Sequence, residues 1–388
     1  MPMYDANDIV EQKNRDKRRK RLTKLLIILA VAILGVSLFL TQELWLPKLR
    51  GLGTQYKTIV NDGRLAEGNF PIEINGGAQY QLSCSNENVI VMSDAYIYFY
   101  NEEGGEIKRR QHALSNAVME AVNGRVLLFE SGGTEFSVED KSGLLYMNKL
   151  DKNIMFARLS KEGYAAVVTT SENYDCEIIV YDRKGKMIYH RKCVERVNDI
   201  SFEEGSKGFV ISYFYAENGS LVTSVQKASF TEDKEKWNSP GLDTLGLDVY
   251  NYEEGAFVLG IDACGYVDNK GQITSFYRYE GDFAGGSSEE GQSAVLINSD
   301  DRRRYEMALF NDGNSEPIII EFDTPLIDVK VEDGLAYVMK KDAVLAYDFK
   351  GKLRSTANIN DSYTGFTRSD NYVFLKSYNK IDRINYES

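Results

Sequence analysis

The chain has 388 residues, 43% of them hydrophobic and 12% aromatic, only 6 prolines, and a net charge of −12. This composition is too apolar for a disordered protein and long enough to bury a large core. The acidic surplus lies beyond the first fifty residues, so the body of the chain lacks the basic surface that phosphate backbones require; nucleic acid is excluded as a partner, and anionic polymers would need bridging cations.

Residues 1–21 form a polar, basic tail, too short to be a signalling domain, and end in Arg18, Arg19, Lys20 and Arg21. A run of sixteen uncharged residues from Leu25 to Leu40, LLIILAVAILGVSLFL, follows. The segment 22–42 is read as a transmembrane helix, since about 20 residues at 1.5 Å each match the hydrocarbon thickness. Lys24 can snorkel to the interface, and Trp45 suits the headgroup layer beyond the far end. The basic near flank directs the N-terminus to the cytoplasm and everything after the helix to the outside. A cleaved signal peptide and a buried core helix are the competing readings. The run is long for the first, and no small-residue cleavage site follows it. Residues 43–68, with Pro47 and four glycines, read as a juxtamembrane linker with a short helix around 56–65.

From residue 69 a phrase recurs eight times: a polar turn, then four or five apolar residues. It starts at Asn88, Gly124, Gly163, Gly208, Gly255, Gly291, Gly334 and Asn371, with spacings of 36, 39, 45, 47, 36, 43 and 37. A period near forty carried by short strands predicts an all-β fold, an eight-bladed β-propeller over 69–388, after one transmembrane helix. The unbroken apolar runs suit strands covered on both faces. A second signal, Asn or Asp a few residues before Gly, marks a hairpin at Gly104, Gly143, Gly185, Gly271, Gly313 and Gly351. It skips one blade, whose hairpin is expected near 226–230; misreading the stretch 200–240 would leave seven blades. The last blade lacks a strand. The segment 69–75 (NFPIEI plus Asn75) has no blade of its own and is expected to supply the outermost strand there, where Pro71 is tolerated.

Chemistry-bearing motifs are sparse. The two histidines, His112 and His190, lie in charged hairpin segments and read as exposed. No nucleophile elbow, HExxH, P-loop, dinucleotide fingerprint or EF-hand loop occurs, so no catalytic, cofactor or metal residue is assigned. The turns Asn298–Asp301 and Asn311–Gly313 have a composition that calcium could use, although propeller hairpins commonly look the same. Four cysteines are too few and too scattered for a disulfide scaffold. Cys176 and Cys193 flank the YDRKG hairpin. They stand opposite each other, within reach of a disulfide, if the turn centres on Lys184 and Gly185, and face opposite sides if a bulge slips the register. Cys84 and Cys264 fall in different blades.

The hairpin cadence, YDRKGKMIY at 181–189 and YDFKGKL at 347–353, resembles the blades of quinoprotein-like and WD40-like propellers. With LLIILAVAILGVSLFL in front, the chain also resembles an uncharacterised family of membrane-anchored proteins of Gram-positive bacteria, a domain of unknown function. Quinoprotein blades usually carry a docking tryptophan each, whereas only Trp45 and Trp237 are present here, and there is no WD dipeptide; quinone binding and dehydrogenase activity are therefore not implied. The expectation is a single-pass protein of the cell membrane, held in the bilayer by its helix and displaying a non-catalytic propeller that binds or scaffolds an envelope protein or polymer. A propeller hydrolase using channel carboxylates on glycans or peptides is the alternative. A membrane sensor would need a cytoplasmic output domain that the short tail does not provide.

Overall fold

The computed structural model describes residues 59–61 and 69–385, apart from 75–79, 231–235, 312–315, 361 and 370–371. The predicted transmembrane segment, Trp45 and the Arg18–Arg21 cluster fall outside these residues. Among the described residues no helix is long and apolar enough to cross a membrane.

Every described element is a strand, and the strands form eight separate sheets. Blades 1 to 8 occupy 81–111, 117–149, 154–193, 196–238, 246–278, 282–322, 326–358 and 365–385. Blades 1 to 7 are each a meander of four antiparallel strands, numbered here from the axis outward. The first strands of successive blades touch one another, and the first strand of blade 8 touches that of blade 1, so the ring closes.

The recurring apolar phrases are the second strands. Asn88–Met92, Ala165–Thr169 and Gly255–Gly260 are buried at every position. A strand buried on both faces has no polar side to show, which is why these runs do not alternate. Each core cluster joins neighbouring blades: Leu127 and Phe129 of blade 2 pack with Ala165 and Val167 of blade 3, and Phe257 of blade 5 packs with Val295 and Phe310 of blade 6.

The last blade takes its outermost strand from the other end of the domain. Ile72–Glu73 pairs antiparallel with Lys380–Asn385, placing Ile72 opposite Ile381 and Glu73 opposite Lys380. The Ile74 N–H adds a bond of 2.8 Å to the Asn379 carbonyl. Ile72 and Ile74 then share a core with Val89 and Val91 of blade 1 and with Phe374 and Ile381 of blade 8.

The hairpin glycines have a second duty in this stacking. Gly104 holds φ at +78°, and a Cβ there would lie 2.8 Å from the Asn69 carbonyl oxygen and 3.0 Å from the Phe70 ring. The closing segment is therefore lodged against the blade 1 hairpin. At Gly185, with φ at +76°, a Cβ would lie 2.7 Å from the ring of Tyr146 in the preceding blade. Only a residue without a side chain satisfies both the turn and this approach.

Two details depart from the sequence reading. Residues 56–65 were expected to include a short helix, but Ile59–Asn61 is a strand, added in parallel to the outer edge of blade 7 against Leu353–Asn358. β-Branched Ile59 and Val60 suit an open sheet edge better than an isolated helix. In blade 4 the second and third strands lengthen to ten residues each, Gly208–Glu217 and Ser220–Ser229, turning at Asn218 and Gly219. The outer hairpin therefore falls after Ser229 instead of at 226–230.

Gly104→Ala and Gly219→Ala impose similar φ strain, but nothing lies within 4 Å of a Cβ at Gly219. Gly104→Ala is expected to lower unfolding free energy by about 1 kcal/mol or more beyond Gly219→Ala. Urea titration reads the difference; equal losses would mean that the seam contact contributes nothing.

Candidate functional site

The first strand of each blade leaves one edge towards the axis, and the backbone donors on that edge need partners. Side chains of the preceding blade supply them. Gln81 Oε1 accepts from the Met119 N–H at 2.9 Å while its Nε2 donates to the Ala117 carbonyl at 2.9 Å. Glu120 accepts from the Leu159 N–H at 3.0 Å, Asp199 from Val249 at 2.7 Å, Ser287 from Val331 at 2.9 Å and Asp328 from Phe366 at 3.1 Å. Each bond crosses one seam between blades. Asp199, Asp248 and Asp328 share a position, directly after a β-bulge in their first strands. A bulge re-aims the side chain that follows it, here towards the axis and the next blade.

Charge concentrates where blades 2 to 5 meet. Arg158 of blade 3 places Nε 2.7 Å from Asp199 and Nη2 3.5 Å from Asp248. Burial pushes the Glu120 carboxyl up to about 7, against the pull of Arg158 and the Leu159 N–H. Burial likewise lifts Asp199 to about 6, opposed by Arg158 and the Val249 N–H. The arrangement is one guanidinium shared by three carboxylates, two of which also accept a backbone bond from the next strand.

A cleft of about 600 Å³ opens where blades 8, 1 and 2 meet, at the ends of second strands and the beginnings of first strands. Gln81, Met92, Ser93, Asp94, Asn116 and Lys376 are among its lining residues. The Lys376 ammonium stands 5.1 Å from the centroid of the Tyr80 ring. Tyr80 is fully buried beneath it, its hydroxyl directed at the Ser377 and Lys380 carbonyls, each at 2.8 Å. Burial lowers the pKa of Lys376, with the charge of Asp328 opposing the shift.

Residues 67–239 match a family of unknown function, DUF5711. The matched span takes in the closing strand and blades 1 to 4, hence Glu120, Arg158 and Asp199, but neither Asp248 nor Lys376. No curated protein matches the sequence. Among solved structures the chain is similar to the computationally designed protein Ika8, with a TM-score of 0.63 and 12% identity over 83% of this chain and 100% of that one. It is also similar to BamB from Moraxella catarrhalis, with a TM-score of 0.55 and 13% identity over 83% of this chain and 100% of that one. Sqt1 from Saccharomyces cerevisiae gives a TM-score of 0.61 at 8% identity, over 84% and 100% respectively. At such identities the likeness is one of fold.

The residues singled out from sequence fall mostly away from the axis. Cys176 and Cys193 are direct cross-strand partners in blade 3, both buried and both free thiols. A bulge is present, but it sits between Val180 and Tyr181, on the turn side of the pair, so the two cysteines still face each other. Hydrogen bonding to the neighbouring sulfur holds the Cys176 thiol below its usual range, and the same bond together with burial raises that of Cys193. Cys84 and Cys264 lie in blades 1 and 5. His112, just past the fourth strand of blade 1, is buried, not exposed, because the turn at Ser93–Ala95 holds it on both sides: Nε2 lies 2.9 Å from the Ser93 carbonyl and its backbone N–H donates to the Ala95 carbonyl at 2.9 Å. His190 pairs with Glu177 at 2.9 Å in blade 3. Asn298, a calcium candidate by composition, spends its amide on the Leu326 backbone of blade 7, at 3.0 and 3.2 Å. Among the described residues no three acidic, histidine or cysteine side chains are grouped as a metal would need. Sequence reasoning missed the first-strand locks; Asp199 and Asp328 share only an aspartate directly before a β-branched residue, Ile200 or Val329.

Replacing Arg158 by Met would strand Asp199 without its counter-charge, at an expected cost of about 3 to 5 kcal/mol in chemical denaturation; no loss would mean the cluster is not stabilising. The raised carboxyls also set a pH dependence. Folding favours protonated Glu120 between pH 4.5 and about 7, and protonated Asp199 between 3.8 and about 6. The stability they contribute is complete below those windows and falls as pH rises through them. Glu120→Gln keeps the acceptor for Leu159 and should flatten the decline in unfolding free energy between about pH 5 and pH 8. An unchanged slope would show that Glu120 does not titrate there.

Proposed function

We propose that this chain is a single-pass membrane protein whose eight-bladed propeller stands outside the cell and binds an envelope protein or polymer without catalysing a reaction. One observation carries the non-catalytic part. The perturbed carboxylates Glu120 and Asp199 each accept a backbone N–H of the following blade and share Arg158, so their acidity serves the ring. A hydrolase would need such groups turned towards a substrate. The cleft among blades 8, 1 and 2 is the natural place for a ligand: its volume falls within the range of small-ligand sites, and it joins hydroxyl and amide groups to apolar ones. Anchoring rests on the run Leu25–Leu40 and on the basic Arg18–Arg21 flank.

An outside location gives the paired cysteines a role. In an oxidising compartment the Cys176 and Cys193 thiols would pass two protons and two electrons to a thiol oxidant and become a disulfide within blade 3.

Intact cells provide the test. A cysteine placed at Tyr378, which is 68% exposed, should react with a membrane-impermeant maleimide, and Cys176 and Cys193 should resist alkylation in denaturant until reduced. Labelling only after lysis, with all four native thiols reactive, would refute the location. A photo-cross-linker at Asn116 in the cleft should give a discrete adduct that one at Leu145 on the rim does not. Turnover of a glycan or peptide by the purified chain, lost in Asp199→Asn, would establish the hydrolase instead.

A further inference from the structure

We propose that the cleft among blades 8, 1 and 2 captures the C-terminal carboxylate of a peptide, with Lys376 as its anchor; this deepens the binding-module reading and rests on it. Lys376 ends the second strand of blade 8 and lines the cleft. Among the described residues no carboxylate lies within ion-pair distance of its nitrogen; Asp328 acts on it only at longer range. The face of Tyr80 fixes the ammonium from one side, and the hydroxyl of that tyrosine is tied to the Ser377 and Lys380 carbonyls, so the platform is rigid. A half-buried ammonium with no ion-pair partner among the described residues favours a ligand that brings one negative charge out of water.

The rest of the lining narrows the class. Among the described residues it offers one lysine, no arginine, and the carboxylate of Asp94, a poor match for the multiple charge of a phosphate. The one aromatic ring among its described residues, Tyr80, is only 1% exposed and offers no open face for a sugar to stack on. Ser115, Asn116 and Ser131 present exposed hydroxyl and amide groups suited to peptide N–H and C=O. Met92, Leu114 and Val118 supply an apolar wall for a small side chain. Gln81, at the cleft floor, is already spent on the seam to blade 2 and serves as structure.

The probes are acetyl-trialanine with a free carboxylate, the same peptide as its C-terminal amide, and sodium acetate. Each is added to the full-length chain in detergent micelles while a brief pulse of acetylating reagent marks lysines, read site by site by mass spectrometry. The free acid should slow acetylation of Lys376 at least fivefold and leave Lys380 and Lys330 unchanged, with the amide having little effect. In calorimetry, Lys376→Gln should weaken binding of the acid at least tenfold, Lys376→Arg much less. Binding should also fade as pH rises through the lowered lysine pKa, since only the ammonium attracts the carboxylate. Equal protection by acid and amide, or by acetate at the same concentration, would overturn the proposal, the latter by reducing the site to an adventitious anion contact. Should Lys376→Gln fail to fold, the protection pattern of the natural chain decides alone. If peptide protection is absent while the Asn116 cross-link still forms, the carboxylate site falls and the binding module stands; loss of the cross-link removes the module itself.

Discussion

The structure depends on the burial of eight second strands on both faces. A sheet whose central strand is apolar on either side cannot stand in water alone, nor in a stack with two open ends. Each blade needs a neighbour on both faces, and closure of the stack into a ring meets that need for every blade at once. The first strands touch in sequence around the axis, blade 8 returning to blade 1. At the seam between them Ile72 and Ile74, from the outermost strand of blade 8, share a core with Val89 and Val91 of blade 1 and Phe374 of blade 8.

Closure creates a second demand at the axis. Eight first strands face one another with a free edge each, and their donors cannot be left bare. Gln81, Glu120, Asp199, Ser287 and Asp328 answer it by reaching one blade forward. The carboxylates among them are drawn out of water and their pKa values rise, a shift that elsewhere would suggest a catalytic acid. Here burial between blades accounts for it, and the partners work against it: the Leu159, Val249 and Phe366 N–H groups donate to Glu120, Asp199 and Asp328, and Arg158 offsets the charge of the first two. Lys376 differs, being drawn partly from water with no matching ion pair among the described residues, and that contrast marks the cleft rather than the axis as the place where a ligand would be held.

The ring was legible because burial on two faces leaves an unmistakable trace. A phrase such as Asn88-Val-Ile-Val-Met92 has no polar alternation, and its recurrence counts the blades, including the lengthened blade 4 whose outer hairpin signal is displaced. The axis was not legible. Asp199 and Asp328 each follow a bulge that changes the count between turn and side chain, whereas the strand of Glu120 has none, so no fixed offset from the phrase finds them all. The strand Ile59–Asn61 was hidden for another reason: three residues follow no periodicity, and their partner lies almost three hundred positions away. The cleft joins Lys376 to Tyr80 and Asn116 only through closure, so it too needed the fold.

Hydrogen exchange of the full-length chain, resolved by peptide, addresses the central claim most directly. If two-sided burial and ring closure hold the domain together, the second strands of all eight blades, Tyr372–Lys376 of blade 8 included, should exchange at similarly slow rates, and the backbone at 72–74 should be protected with them. Fast exchange confined to 72–74 and blade 8, with the remaining seven blades protected, would show an open seam and contradict the account.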